Sequence, residues 1–439
     1  MGFIKKLSPW AWVPSLYFAE GLPNVIVVTV SVIMYQQLGL SNAEITFYTS
    51  WLYLPWVIKP LWSPFVDVIK TKKWWIIVMQ MLMGASFAGV AFTLNIGLWL
   101  EATLCFFWLM AFSSATHDIA ADGFYMIGLN NHQQAMFVGI RSTFYRLANI
   151  FGQGILVAVA GSLQVLFRGE IKFSWMLVFY FVAALFIALA MYHTVILPKN
   201  EDTDSHKKLD SKKIFADLID SVRTFIFVVK PDGRLRLRAE ALTGILFMLC
   251  YRMPEGLLAK ITPLFLCGKA EEGGMALSLQ EYSFAYGTVG VIGLVVGGII
   301  GGVVASKHGL KRWLWPMVMA ITIPDLVYVY LSFYTDTPLI FTSVCIFIEQ
   351  FGYGFGFTAY MLYLIYYSSK AISGKYKTSH YALCTALMAL SLQIPGLVAG
   401  ALQEAIGYQM FFISVMICCS VTFFVTSKLN IDPEFGKKK

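Results

Sequence analysis

The stretch AFSSATHDIAADGFYM, Ala111 to Met126, sets His117, Asp118 and Asp122 inside a segment otherwise apolar enough to cross a bilayer. An ionisable group in hydrocarbon costs several kcal/mol, roughly 2.5–3.5 on insertion scales. Such groups turn toward a protein-lined or wet interior, pair with something, and mark a pathway. Asp118 and Asp122 are four residues apart, so they share one helix face. The next apolar segment carries Arg141 and Arg146, which oppose the two acids in charge. Acid-bearing and base-bearing spans side by side imply a polar conduit through a membrane protein.

The rest of the chain agrees. Of 439 residues, 58% are hydrophobic and 13% charged, against about 25% charged in a soluble domain. Long apolar runs recur along the whole length, as in a polytopic helical membrane protein rather than a soluble domain on an anchor. The formal net charge of +8 does not point to nucleic acid, because the basic residues cluster in short loops between spans. Seven cysteines lie in or at the ends of apolar runs without disulfide or zinc spacing. They read as small core hydrophobes. Neither a metal site nor a cofactor is expected.

Twelve spans are predicted, near 10–35, 44–66, 74–96, 101–128, 135–165 and 173–196, then 240–267, 280–305, 313–334, 338–369, 379–403 and 408–428. With the N-terminus in the cytoplasm, 25 of the 33 Lys and Arg fall on the cytoplasmic side and three on the other. The positive-inside rule then puts both termini and the central loop in the cytoplasm. The chain divides into a six-helix bundle over 1–196, a polar central loop over 197–239, a second bundle over 240–428 and a tail over 429–439. Within the loop, Lys212 to Val229 has the pattern of an amphipathic interfacial helix.

The two halves echo each other. Trp62-Ser-Pro-Phe-Val-Asp-Val-Ile-Lys-Thr-Lys-Lys-Trp74 links spans two and three, and Gly301-Gly-Val-Val-Ala-Ser-Lys-His-Gly-Leu-Lys-Arg-Trp313 links spans eight and nine 239 residues later. Glu20-Gly-Leu is answered by Glu255-Gly-Leu, 235 residues on. A short basic loop at the same place in each half resembles the major facilitator superfamily. Its loop pattern is Gly-x-x-x-Asp-(Arg/Lys)-x-Gly-(Arg/Lys)-(Arg/Lys). Gly302, Lys307, Gly309, Lys311 and Arg312 match it, with Ser306 in place of the acid; the first copy keeps Asp67 and the bases Lys72 and Lys73. The resemblance implies two pseudo-symmetric six-helix bundles and gate contacts at Asp67, Lys72, Lys73, Lys311 and Arg312, with Arg141 at the cytoplasmic mouth. Topology-setting charge explains those loops equally well.

Within that superfamily, Lys59-Pro-Leu-Trp-Ser-Pro-Phe-Val-Asp67, Ser114-Ala-Thr-His-Asp-Ile-Ala-Ala-Asp122, Tyr145-Arg-Leu147 and Glu349-Gln-Phe-Gly-Tyr-Gly-Phe-Gly-Phe-Thr-Ala359 resemble the AmpG permeases. AmpG proteins are inner-membrane carriers that import muropeptides during cell-wall recycling. The resemblance implies a carrier, not an enzyme, in a bacterial inner membrane, working on a muropeptide or similar sugar-like anion together with protons, as a monomer. Two departures stand out. Glu20 occupies a place where that family typically has a small residue, and the two further hydrophobic segments of the best-known members do not follow the twelfth span before Lys439. Another anionic solute, a sugar acid or an acetyl-CoA-like molecule, stays open.

Residue by residue, Asp118, Asp122, Glu20 and Glu255 are the candidates for proton coupling; a structural Asp–Arg tether between spans four and five is the competing role for the first two. His117, one residue off that face, reads as a hydrogen-bond donor. Arg146, about 17 Å into span five at 1.5 Å per residue, with Tyr145, Glu349, Tyr360 and Arg252, is a candidate for substrate contact. Arg252 and Glu255, three apart, have the spacing to neutralise each other. Glu349 precedes Gly352-x-Gly-x-Gly, a run that favours close helix packing. Lys59 reads as a snorkelling side chain. Asp118-x-x-x-Asp122 also fits the metal-diphosphate motif of membrane prenyltransferases. The matching positions of the second half, Phe357 and Met361, are apolar and argue against that enzyme.

Overall fold

A computed structural model of the chain describes residues 8–129, 131–198, 211–229, 235–237, 240–369 and 377–435. The helices, in order, are α1 (Pro9–Gln37), α2 (Asn42–Trp51), α3 (Leu54–Ile58), α4 (Ser63–Val68), α5 (Lys72–Thr93) and α6 (Trp99–Gly128). They continue with α7 (Ile140–Leu166), α8 (Ile171–Ile196) and α9 (Ser211–Ile226). After a hairpin of β1 (Phe227–Val229) and β2 (Leu235–Leu237) come α10 (Ala241–Cys267), α11 (Leu279–His308), α12 (Leu310–Phe333), α13 (Leu339–Ser369) and α14 (Lys377–Ser427).

Ten helices among the described residues are long and apolar enough to cross a membrane, not twelve. The difference has two local causes. Expected span two is broken by Pro55, Pro60 and Pro64 into α2, α3, a 3-10 turn over Lys59–Leu61, and α4, because proline removes a helical donor and clashes with the preceding turn. The last two expected spans are two helices that meet end to end within α14: Gly407, with φ 77°, breaks the helix between them in a conformation that glycine adopts cheaply, so the pair counts as one long apolar stretch. The hairpin in the central loop is a small exception to the all-α expectation. The amphipathic helix expected from Lys212 runs from Ser211 to Ile226.

The chain forms two compact units. The first holds Met1–Leu40, Leu52–Leu209 and Ser278–Ser283. Its core packs Trp12, Tyr17, Phe124, Tyr125 and Phe137 together. A Cβ at Gly21 would lie 2.9 Å from the Tyr145 carbonyl, so glycine is what lets α1 and α7 touch. The second unit holds Ser41–Trp51, Asp210–Leu277 and Phe284–Lys439, around Phe247, Tyr251, Tyr360, Tyr363 and Met317. Here the glycine run packs closely, as expected: a Cβ at Gly354 would meet the Leu294 carbonyl at 2.1 Å, and one at Gly352 the Ala320 carbonyl at 2.0 Å.

A repeat signal that the sequence reading missed lies at the starts of α2 and α11. Ser41 and Glu44 bond reciprocally, side chain to backbone N–H (3.0 and 3.2 Å). Ser278 and Glu281 do the same 237 residues later. Each is a Ser-x-x-Glu capping box. Within the second unit α2 is held by polar contacts: Asn42 donates to Gln403 (2.6 Å) and to Tyr408 (3.0 Å), Gly400 N–H to Thr46 (3.0 Å), and buried Lys260 to Thr49 (3.0 Å).

Candidate functional site

In the first unit, three acids and two bases converge from α1, the 3-10 turn after α3, α6 and α7. Asp118 and Asp122 share a face of α6, as four-residue spacing requires. Each has its own base. Lys59 Nζ donates to Asp118 Oδ2 at 2.5 Å, and Arg141 Nη2 lies 2.9 Å from Asp122 Oδ1. Glu20 is buried on α1, and its Oε2 has no hydrogen-bond partner among the described residues. Tyr17 donates its phenol to Asp122 at 3.0 Å. The Arg141 guanidinium sits over the Tyr17 ring at 4.5 Å and the Tyr125 ring at 5.3 Å, a cation–π arrangement that holds the charge in place. Tyr145 is half-buried within electrostatic range of Asp118 and Glu20. Arg146 is half-buried five residues beyond Arg141.

Lys59 is the residue that sequence reading misjudged. It does not snorkel; the prolines flanking it bend the chain so that its amine meets Asp118. The signal was present in Pro55 and Pro60, which forbid the straight helix that would carry it to the interface. His117, expected to donate a hydrogen bond, instead accepts one from the Gln80 amide, because that side chain's other end is taken by His193, and it ends a buried chain. His193 bridges Ser15 (2.9 Å) and Gln80 (2.9 Å), and Gln80 reaches His117 (3.0 Å). That chain ties α1, α5, α6 and α8.

In the second unit, Arg252 and Glu255 pair at 2.9 Å, as their spacing suggested. Arg252 also donates to the Tyr353 hydroxyl (2.5 Å) and lies over the Phe357 ring at 4.6 Å and the Tyr360 ring at 5.7 Å. Tyr360 is a buried core residue, its phenol bonded to the Met248 carbonyl at 2.6 Å. Buried Glu349 accepts from Tyr328 (2.8 Å) and Gln350 (3.0 Å). A small cavity of about 70 Å³ is lined by Arg252, Glu255, Thr262, Tyr286, Glu349 and Tyr353. Asp325, which the sequence reading passed over, is buried on α12 with the Cys419 thiol 3.8 Å away.

The expected gate residues differ among themselves. The Asp67 side chain lies outside the described residues. Lys72 is buried, its stem so close to Gly123 that a Cβ there would meet Lys72 Cε at 2.7 Å. Lys73 donates to the Leu197 carbonyl at 2.6 Å. Lys311 and Arg312 are exposed, and Arg141 belongs to the acid–base cluster. Among the described residues no group of three or more His, Cys, Asp or Glu is placed to hold a metal ion.

Stacked apolar helices with ion pairs sunk between them define a multi-pass membrane carrier. A family model described as Major Facilitator Superfamily matches residues 15–391, and the chain belongs to that superfamily. It is a transporter rather than an enzyme. Among curated relatives, it is 25% identical to putative transporter AmpG 4 of Rickettsia conorii, over 94% of this chain and 95% of that protein. It is 24% identical to the anhydromuropeptide permease of Escherichia coli K12, over 91% of this chain and 75% of that one. Among solved structures it resembles the nucleoside transporter NupG (TM-score 0.69, 16% identity, 96% and 100% covered) and a D-xylose–proton symporter (0.68, 12%, 98% and 99%). At those identities the likeness is one of fold.

Proposed function

We propose that the chain is a proton-coupled importer of muropeptides or related cell-wall amino-sugar conjugates, working as a monomer in a bacterial inner membrane with both termini in the cytoplasm. The observation that carries this reading is the Arg141–Asp122 pair. It lies in the half-accessible cluster of the first unit, in a chain whose relatives include an anhydromuropeptide permease. A guanidinium matches a carboxylate bidentately, and a muropeptide carries carboxylates. Protonating Asp122 releases Arg141 toward the solute. Lys59 holds Asp118 in an ion pair, and buried Glu20 is a third carboxyl for the coupling role. Tyr145, four residues on, extends the Arg141 face of α7, and Arg146 next to it is a further candidate for solute contact. In the second unit, Glu255 and Arg252 neutralise each other beside Glu349, and Tyr360 completes their aromatic wall.

Proteoliposomes containing the purified chain should accumulate labelled anhydromuropeptide faster under an inward proton gradient than without one. Lack of uptake of any cell-wall fragment, with uptake of a sugar acid or acetyl-CoA in the same panel, would replace the substrate and keep the carrier. Unchanged proton-driven uptake by Asp118→Asn and Asp122→Asn would remove the coupling role.

A further inference from the structure

Three helices that carry the second unit change their winding. α10 breaks at Tyr251 and Arg252 and restarts at Met253 with Pro254 in its first turn, because proline brings no backbone N–H to continue the ladder. α11 widens to a π-helix over Ser283–Gly290, and α12 tightens to a 3-10 turn over Ile323–Asp325. Irregular backbone at membrane depth persists where it is buried in protein or lines a cavity, and π-turns collect at functional sites. These segments all contribute to the cavity of about 70 Å³ in the second unit. Arg252 and Glu255 come from the break in α10, Tyr286 from the π-helix, and Tyr328 from just beyond the 3-10 turn.

The charges on the cavity wall do not balance. Arg252 is the one basic side chain among the described residues that line it, and it is committed to Glu255 and to the Tyr353 hydroxyl. Glu349 is left over. It is 6% exposed, and its partners among the described residues are the Tyr328 phenol and the Gln350 amide, both neutral. A carboxylate in a poor solvent is costly until a cation joins it. Leu258, Ala259 and Leu392 supply the apolar part of the wall, and tyrosine faces attract a cation. One spare acid, aromatic faces and hydrocarbon together complement an amine on a short hydrocarbon stem, whereas a metal ion would want a shell of oxygens. A single water needs about 10–15 Å³ of such space, so an ammonium head and the first carbons behind it have room.

We propose that this cavity takes a primary ammonium group, the free amine of the transported solute, and pairs it with the Glu349 carboxylate beside the Tyr286 and Tyr353 rings. The assignment rests on the carrier reading above and deepens it: the solute carries an amine as well as a carboxylate. Arg252 stays on Glu255, so the new pair forms without breaking an old one.

Calorimetric titration of the purified full chain compares an anhydromuropeptide bearing a free primary amine with the same compound N-acetylated. Acetylation should weaken binding about tenfold in the unsubstituted protein, the scale of one charge-assisted hydrogen bond, and less than about twofold in Glu349→Gln. Equal binding of the two compounds by the unsubstituted protein, or the same loss in Glu349→Gln, would overturn the assignment. If neither compound binds, the muropeptide reading fails, and a simpler probe decides the cavity by itself. At constant ionic strength n-propylammonium chloride should raise the unfolding temperature. Ammonium chloride, which lacks the stem, and 1-propanol, which lacks the charge, should not. An equal rise with ammonium chloride would make this a site for a free ion, and an equal rise with propanol an apolar pocket; either result, or no rise with propylammonium, overturns the proposal. Should Glu349→Gln not fold, Ala259→Leu, which fills the cavity, should abolish the propylammonium response, and an undiminished response would count against the site.

Discussion

Each unit contains an arginine paired with an acid beside aromatic rings, yet the two pairs sit in different surroundings. Arg141 and Asp122 have side chains 31% and 38% exposed, while Arg252 and Glu255 are 4% and 12% exposed. The first pair has water within reach and can exchange partners at small cost. The second is sealed by Tyr353, Phe357 and Tyr360, where breaking the pair strands a charge in a poor solvent. Similar chemistry is thus half-exposed in one half and sealed in the other; the proposed function makes the first a working contact and the second a structural tie. Burial, not residue type, separates them.

The sharpest way to break this comparison is Arg252→Ala. It should destabilise the protein by about 3–5 kcal/mol, seen as a large drop in the thermal unfolding temperature in detergent. A variant as stable as the parent would show the pair is not sealed. Next comes Gly354→Ala, which drives a methyl group into the Leu294 carbonyl and should cost about 1–3 kcal/mol; Gly302→Ala, with open space around it, should change stability little. Gln80→Leu, which leaves the buried His117 and His193 without their bridge, should cost about 1–3 kcal/mol in the same assay. Arg141→Ala should shift stability by less than about 1 kcal/mol while reducing the apparent affinity for an anionic solute about tenfold, ~1.4 kcal/mol. Loss of stability without loss of uptake would reverse the roles assigned to the two arginines. Smallest of all, Arg312→Ala, on an exposed side chain, should leave unfolding unchanged within the scatter of replicate melts.

Membrane character, the repeat and the key polar residues could be read from the chain because they depend on local properties. Hydropathy marks a span whatever its neighbours are, and four-residue spacing puts Asp118 and Asp122 on one face in any helix. The Arg252–Glu255 pair and the glycine packing run were legible for the same reason: helix geometry fixes what lies three or four residues away. The interruption of span two was not, since three prolines decide continuity through backbone geometry that a hydropathy window averages out.

What the sequence by itself determined is that ionisable side chains lie at bilayer depth in a duplicated helical chain. Only the tertiary structure decided which base meets which acid, and how much water reaches each pair. Lys59 lies 59 residues from Asp118 along the chain, and Gln80 joins two histidines 76 residues apart. Those partners depend on how separate helices pack, and ion-pair energy depends on the dielectric that packing creates. No pattern along a single helix carries that information.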